Sequence, residues 1–563
     1  MVWLTGVPMA FVFYGAVHRR SDSGRSEFTL HYLQKIFLSP AYVHPILDTV
    51  ALALCVCVAA TFAGLVLAWA TVRMATYGRR AWELGIVVPI FMSPFIGALG
   101  WVSLGTPRTG YLNTLLAPLH LAFFDVFSFA GAVAIMALYL TPFSYGLLRE
   151  PLEKMNPELE EAAEVHGAAW LARVWHVTIP LLWPSLLSSV ILMFIFAAEM
   201  FSIPGILLVP NGFPVLSYSI LNLTTQWPLD YAEAAAVGLL LFLITLIGIV
   251  AYRRVVRIQE RYVTIGPRAP RAHSTAVPPA LRCAGTLLCL IYVVVAVVLP
   301  VGALALRSTV QYFTGSVSLG GMSLSAFSIL LRDPLVQSSL QHSIAITAVS
   351  TVALLVISFA VATAKVRYRD RTAAATEFLA STPIAIPGVL FGVGLLWMYI
   401  STPVYATIWI IVLVMLARFP PLLVRMFETA LMQIGREVEE AAMISGASEF
   451  HVSRLVRLPL LAGTLRSAAI VASTQVFNEL TASALLFTGT SSVMPVLIYN
   501  YAIAGDYSRA SALALIQIVL LVLGMLLLLG LSALWHASGK LGLTPATVRR
   551  PISQRQLIEG RSR

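Results

Sequence analysis

Two glutamates stand inside apolar runs: Glu199 after Ile195-Phe196-Ala197-Ala198, and Glu479 after Val476-Phe477-Asn478. A carboxylate within hydrocarbon is costly, so an intramembrane glutamate is a functional candidate by default. Paired carboxylates offer hard oxygen ligands of the kind a small, highly charged cation favours. The plainer alternative is that each braces a local helix break. Asn478 and Tyr499 are weaker polar candidates for the same path, and Tyr499 also reads as an interfacial aromatic anchor. A second constellation does no covalent chemistry: Glu161-Ala162-Ala163 followed by Gly167 and Pro180, and Glu440-Ala441-Ala442 followed by Gly446 and Pro459. Other chemistries find no support. Cys55, Cys57, Cys283 and Cys289 all fall in apolar segments and read as small hydrophobes. The ten histidines are scattered, no metal site is fixed, and no nucleophile or acid–base cluster suggests a membrane enzyme. No phosphate-cradling G-x-x-x-x-G-K-[ST] loop occurs, since Gly539-Lys540 runs into Leu541. ATP hydrolysis is therefore not expected of this chain, nor is a cofactor.

The elements that must position these residues are set by composition. Of 563 residues, 58% are hydrophobic and 11% charged. A soluble chain carries about 25% charged residues, so lipid must solvate much of this one. Apolar runs long enough to span a bilayer fall near 1–17, 46–72, 85–105, 128–148, 183–204 and 233–252, and again near 283–306, 340–364, 376–400, 406–425, 462–487 and 511–534. The net charge of +11 comes from arginines beside these runs, which fits a membrane and not nucleic acid. Arg73, Arg79 and Arg80 follow the second run, Arg253 to Arg282 the sixth, and Lys365 to Arg371 the eighth, whereas 204–230 holds no Lys or Arg. Alternate loops are basic, which predicts both termini in the cytoplasm. Arg19, Arg20 and Arg25 then lie outside, against the usual bias.

The two Glu-Ala-Ala segments are copies. Their glutamates differ by 440 − 161 = 279 positions, and the Glu-to-Gly and Gly-to-Pro spacings agree. Internal repetition is typical of transporters built from two pseudo-symmetric halves. Each copy predicts a short helix favoured by alanine, a turn at glycine, and a second helix ended by proline. Glu199 and Glu479 follow their motifs by 38 and 39 residues, so they are near-equivalent in the repeat.

Both segments resemble the EAA loop of permeases from binding-protein-dependent ABC importers. The terminal Ile-x-Leu-Pro of that pattern reads Val177-Thr178-Ile179-Pro180 and Val456-Arg457-Leu458-Pro459 here. The resemblance implies an all-α inner-membrane protein of bacteria, with about 12 spans in two six-helix halves. It also implies docking of the elbows into two copies of a separate ATPase subunit that uses ATP and Mg, and delivery by an extracytoplasmic binding protein. Asn478-Glu479-Leu480-Thr481-Ala482-Ser483, Glu199-Met200-Phe201-Ser202-Ile203-Pro204 and Arg261-Tyr262-Val263-Thr264 are similar to fused ferric-iron permeases. That group shades into permeases for thiamine, phosphonates and polyamines. An ion-gradient-driven secondary transporter is the alternative from another class, and the paired elbows speak against it. The expected organisation is a first span and extracytoplasmic segment (1–45), a first half (46–252), a cytoplasmic linker (253–282), a second half (283–535) and a cytoplasmic tail (536–563). A cysteine replacing Ser274 in the linker is expected to resist a membrane-impermeant thiol reagent on intact cells; ready labelling would invert this topology.

Overall fold

The computed structural model describes residues 2–20, 26–119, 124–156, 158–262, 277–310, 323–368 and 371–542. Positions 263–276 of the expected linker and the tail beyond 542 lie outside them. Hydrocarbon offers no hydrogen-bond partner to the backbone, so the apolar runs fold as helices. Seven are unbroken and of spanning length: Pro40–Val72, Phe129–Lys154, Val174–Glu199, Tyr231–Val256, Pro279–Thr309, Pro334–Arg367 and Tyr507–Gly530. Three more are bent pairs: Arg79–Phe91 with Pro94–Gly105 at 96°, Ile408–Arg418 with Pro420–Met432 at 46°, and Glu449–Leu460 with Ala462–Phe477 at 80°. Among the described residues three shorter apolar helices, Val2–Val17, Gly388–Tyr399 and Met494–Ile503, accompany these ten, in keeping with the expected number of about 12. A small antiparallel ladder pairs His18–Arg20 with Ser26–Phe28.

The repeat extends far beyond its motifs. Two long helices, Pro40–Val72 and Pro334–Arg367, begin behind Ser39 and Asp333, whose side chains accept from the second backbone N–H beyond each. Thr49 and Ser343, at matched positions, accept from the first residues of two short helices, Leu216–Thr225 and Met494–Ile503, at 2.9 Å each. In each half the long helix packs on the spans that precede and follow the motif.

The first helix of each half is shared. Val7–Val17 packs between Tyr231–Tyr262 of its own half and Gly388–Tyr399 of the other. Leu299–Thr309 likewise packs between Tyr507–Gly542 and Pro94–Gly105. Close approach makes this possible. A Cβ on Gly100 would lie 2.6 Å from the Pro300 carbonyl oxygen, and one on Gly394 would lie 2.6 Å from that of Pro8.

Prolines shape these helices by removing a donor and crowding the carbonyl four residues earlier. Pro8, Pro180, Pro300 and Pro459 each follow a π-turn, at Val2–Gly6, Val174–Thr178, Val294–Val298 and Ser453–Arg457. One detail differs from the sequence expectation: Pro180 does not end the interfacial helix. It lies at the start of Ile179–Glu199, and the chain runs through the π-turn into the span without a break. Pro459 sits just before the 80° bend instead.

Gly100→Ala and Gly394→Ala are each expected to destabilise the protein by about 1–3 kcal/mol, because the added methyl meets backbone that cannot step aside. Gly302→Ala, where a Cβ meets nothing within 4 Å, serves as the neutral control. Thermal unfolding in detergent checks the contrast.

Candidate functional site

Glu199 and Glu479, 280 residues apart, meet on one guanidinium. Arg418 Nη1 donates to Glu479 Oε1 at 2.8 Å, and its Nη2 lies 3.6 Å from Glu199 Oε1. Arg418 ends Ile408–Arg418, just before the proline-induced bend. Its side chain lies across Gly388, where a Cβ would fall 2.1 Å from Nη1, so only glycine leaves it room. Glu199 closes Ile179–Glu199 and stands against the backbone N–H of Gly388, the first residue of Gly388–Tyr399. Glu479 follows the end of Ala462–Phe477 and also accepts from Ala482 N–H at 2.8 Å, holding the break before Ser483–Leu486. The three side chains keep 21%, 18% and 8% of their exposure for Glu199, Arg418 and Glu479. Counted formally, two carboxylates and one guanidinium carry one excess negative charge at the seam between the halves.

The neighbouring candidates are occupied differently. Asn478 Nδ2 donates across the seam to the Phe91 carbonyl at 3.0 Å, and its Oδ1 accepts from Gln517 at 3.0 Å. Tyr499 is buried against Phe95 and Phe201, with ring centroids 5.4 and 5.9 Å away. Ser343, Ile411, Met415 and Ser483 line a narrow crevice that reaches Glu479. Among the described residues no three His, Cys, Asp or Glu side chains converge as a metal site.

At the motifs, Glu158–Val165 and Arg436–Ile444 form the first arms of two elbows. Gly167 and Gly446 turn the chain at φ of +82° and +89°, a left-handed conformation that side chains resist. No atom lies within 4 Å of a Cβ built on either, so backbone conformation and not space requires glycine there. Glu161, Ala162, Glu440 and Ala441 are exposed, and Ala163 and Ala442 half-buried. Val165 and Ile444 occupy matched positions at 85% and 87% exposure. Pro180 and Pro459 begin the next helical segments.

Sequence reasoning passes over Arg418, although a charge within the 406–425 run carries the same signal as the glutamates. It also passes over Glu160 and Glu439, one residue before each motif. Glu160 pairs with Arg73 at 3.0 Å, and Glu439 with Arg367 at 2.6 Å and Arg457 at 2.8 Å.

Two pseudo-symmetric helical halves, a charged seam and paired elbows at one end define a membrane transport component. The chain belongs to the family described as the binding-protein-dependent transport system inner membrane component, which matches residues 60–265 and 355–535. It is 26% identical over 477 residues to the ferric transport system permease protein FbpB of Actinobacillus pleuropneumoniae, covering 83% of this chain and 68% of that one. It is 25% identical over 487 residues to the putative ferric transport system permease protein FbpB 1 of Haemophilus influenzae, covering 84% and 74%. A solved bacterial ABC transporter involved in import of the acidic polysaccharide alginate aligns with 46% of this chain and 88% of its own, at 19% identity and a TM-score of 0.36.

Removing Arg418 leaves two carboxylates facing each other at the seam. Arg418→Gln is expected to cost about 3 kcal/mol, the low end for a broken buried pair because the guanidinium keeps some solvent access. Arg418→Gln with Glu479→Gln should recover part of that loss, and Glu199→Gln alone, whose contact is longer, should cost little. A double-mutant cycle in thermal unfolding measures all three.

Proposed function

We propose that this chain forms the translocation pathway of an ATP-driven importer of ferric iron. It receives the ion from an extracytoplasmic binding protein, and separate ATPase subunits dock on its two elbows. The observation that carries the reading is the matched pair of elbows. Each presents an exposed Glu-Ala face and one bare aliphatic side chain, Val165 or Ile444, on a helix held at a left-handed glycine turn. Two equivalent apolar knobs on a pseudo-symmetric base suit a pair of like subunits. Both termini face the cytoplasm in this reading, as the alternation of basic loops requires. The chain itself does no covalent chemistry.

The printed names of the relatives carry the choice of ferric iron, and the seam is compatible with it. Its formal charge excess is negative, and Glu199, held less closely than Glu479, is the carboxylate better placed to meet a cation. Oxygen ligation by one loosely held carboxylate would be weak enough to release the ion, because conduction needs entry without a deep well. Glu479 instead holds Arg418 and the helix break.

Ferric iron uptake by the reconstituted complex, with its binding protein and ATPase, tests this. Glu199→Gln removes charge and keeps shape, and uptake should fall, because intramembrane carboxylates mark ion pathways, while the ATPase still co-purifies. Undiminished uptake at normal expression would remove Glu199 from the pathway. Failure of ferric iron to stimulate ATP hydrolysis in the unmodified complex would remove iron as the substrate.

A further inference from the structure

The elbows are not free loops. In each half the acid immediately before the motif turns inward, while the motif glutamate stays exposed. Glu160 Oε1 lies 3.0 Å from Arg73 Nη2 and accepts from Thr178 Oγ1 at 2.9 Å. Glu439 lies 2.6 Å from Arg367 Nη2 and 2.8 Å from Arg457 Nη2. These partners correspond in the repeat. Arg73 caps Pro40–Val72 and Arg367 ends Pro334–Arg367, the two long helices. Thr178 and Arg457 each stand two residues before the elbow proline. One carboxylate in each half therefore ties three parts together: the elbow's first arm, its second arm and the end of the long span.

The two clamps differ in strength. Where the first half has the neutral Thr178, the second has Arg457, whose Nη1 also donates to Glu449 at 3.1 Å and Ser453 at 3.0 Å. Arg367 further donates to the carbonyls of Leu431 and Ile434 at 3.1 and 3.3 Å. Glu439 is 3% exposed and Arg457 2%, so water screens this network little. Burial pushes the Glu439 carboxyl up, but the hydrogen bonds and charges of Arg457 and Arg367 outweigh it and hold the group below its ordinary range.

We propose that Glu160 and Glu439 make each elbow and its long helix a single lever, and that the second lever is the stiffer of the two. This rests on the proposed docking of ATPase subunits at the elbows, because the lever has work to do only if the elbow is pushed. In that setting Glu160 and Glu439 are positioning residues: they carry displacement of the elbow into Pro40–Val72 and Pro334–Arg367. The unequal clamps transmit the two strokes unequally.

The test has one arm that needs no partner. In a cysteine-free version of the full chain in nanodiscs, spin labels are placed at Glu158→Cys with Val58→Cys, and at Glu437→Cys with Val352→Cys. Each pair reports the distance between an elbow and its long helix. The distributions should be narrow in the parent. They should broaden in Glu160→Gln and more in Glu439→Gln, which takes the shared carboxylate away from both Arg367 and Arg457. The charge exchange Glu160→Arg with Arg73→Glu should narrow the first again. Unchanged distributions in both Gln variants would overturn the proposal whatever the elbows bind. The second arm is the reconstituted complex, where ATP hydrolysed per ferric ion imported should rise roughly fivefold in either Gln variant while the ATPase stays bound, a size in keeping with mutations that alter coupling between sites. An unchanged ratio with normal assembly, or loss of ATPase binding in its place, would also overturn it. An unmodified chain that binds no ATPase would defeat the docking reading alone, and the spin-label arm would still decide whether the clamps exist.

Discussion

A backbone carbonyl surrounded by hydrocarbon must find a donor, and proline repeatedly takes that donor away in this chain. Pro142 leaves the Leu138 carbonyl without its helical partner, and the Tyr292 hydroxyl donates to it at 3.0 Å from the other half. Pro300 does the same to the Ala296 carbonyl, and Tyr139 donates to it at 3.3 Å in the opposite direction. The two bonds are reciprocal and join Phe129–Lys154 to Pro279–Thr309. A local defect in each helix thus becomes a specific contact between halves, where plain apolar surfaces would slide in lipid without preference.

The same logic extends to charge. Arg418 occupies the position in the second half that Tyr139 occupies in the first, since 418 − 139 = 279. Each side chain sits three residues before a proline, Pro421 or Pro142, and each reaches across the seam. Tyrosine bonds to a freed carbonyl there, whereas arginine needs carboxylates and has Glu199 and Glu479. Pseudo-symmetry places the glutamates, and this one substitution makes their surroundings unlike. Glu479 is bound by a guanidinium and a backbone N–H, and Glu199 is the looser partner.

Helix exchange connects this seam to the elbows. Because Val7–Val17 and Leu299–Thr309 each lie against the opposite half, the halves are interlocked at Gly100 and Gly394. The long helices Pro40–Val72 and Pro334–Arg367 pack on the spans that precede and follow the motifs and end at Arg73 and Arg367, where Glu160 and Glu439 take hold. The seam and the elbows are therefore ends of one continuous set of packed helices. Gly167 and Gly446, strained for any other residue, hold the far end in shape.

Much of this was legible in the sequence because it depends on local pattern. Apolar length set the spans, the Glu-Ala-Ala spacing set the elbows, and the near-equivalence of Glu199 with Glu479 followed from the repeat. The glycine turns were readable too, since a left-handed residue is a property of the chain at that point. Tertiary structure alone decided which charges meet. Arg418 lies 61 residues from Glu479 and 219 from Glu199, Arg73 lies 87 from Glu160, and no periodicity encodes such pairings. The reason is physical: helix formation is fixed by bonds four residues apart, whereas a buried charge is satisfied by whatever partner the packing of distant helices brings within reach.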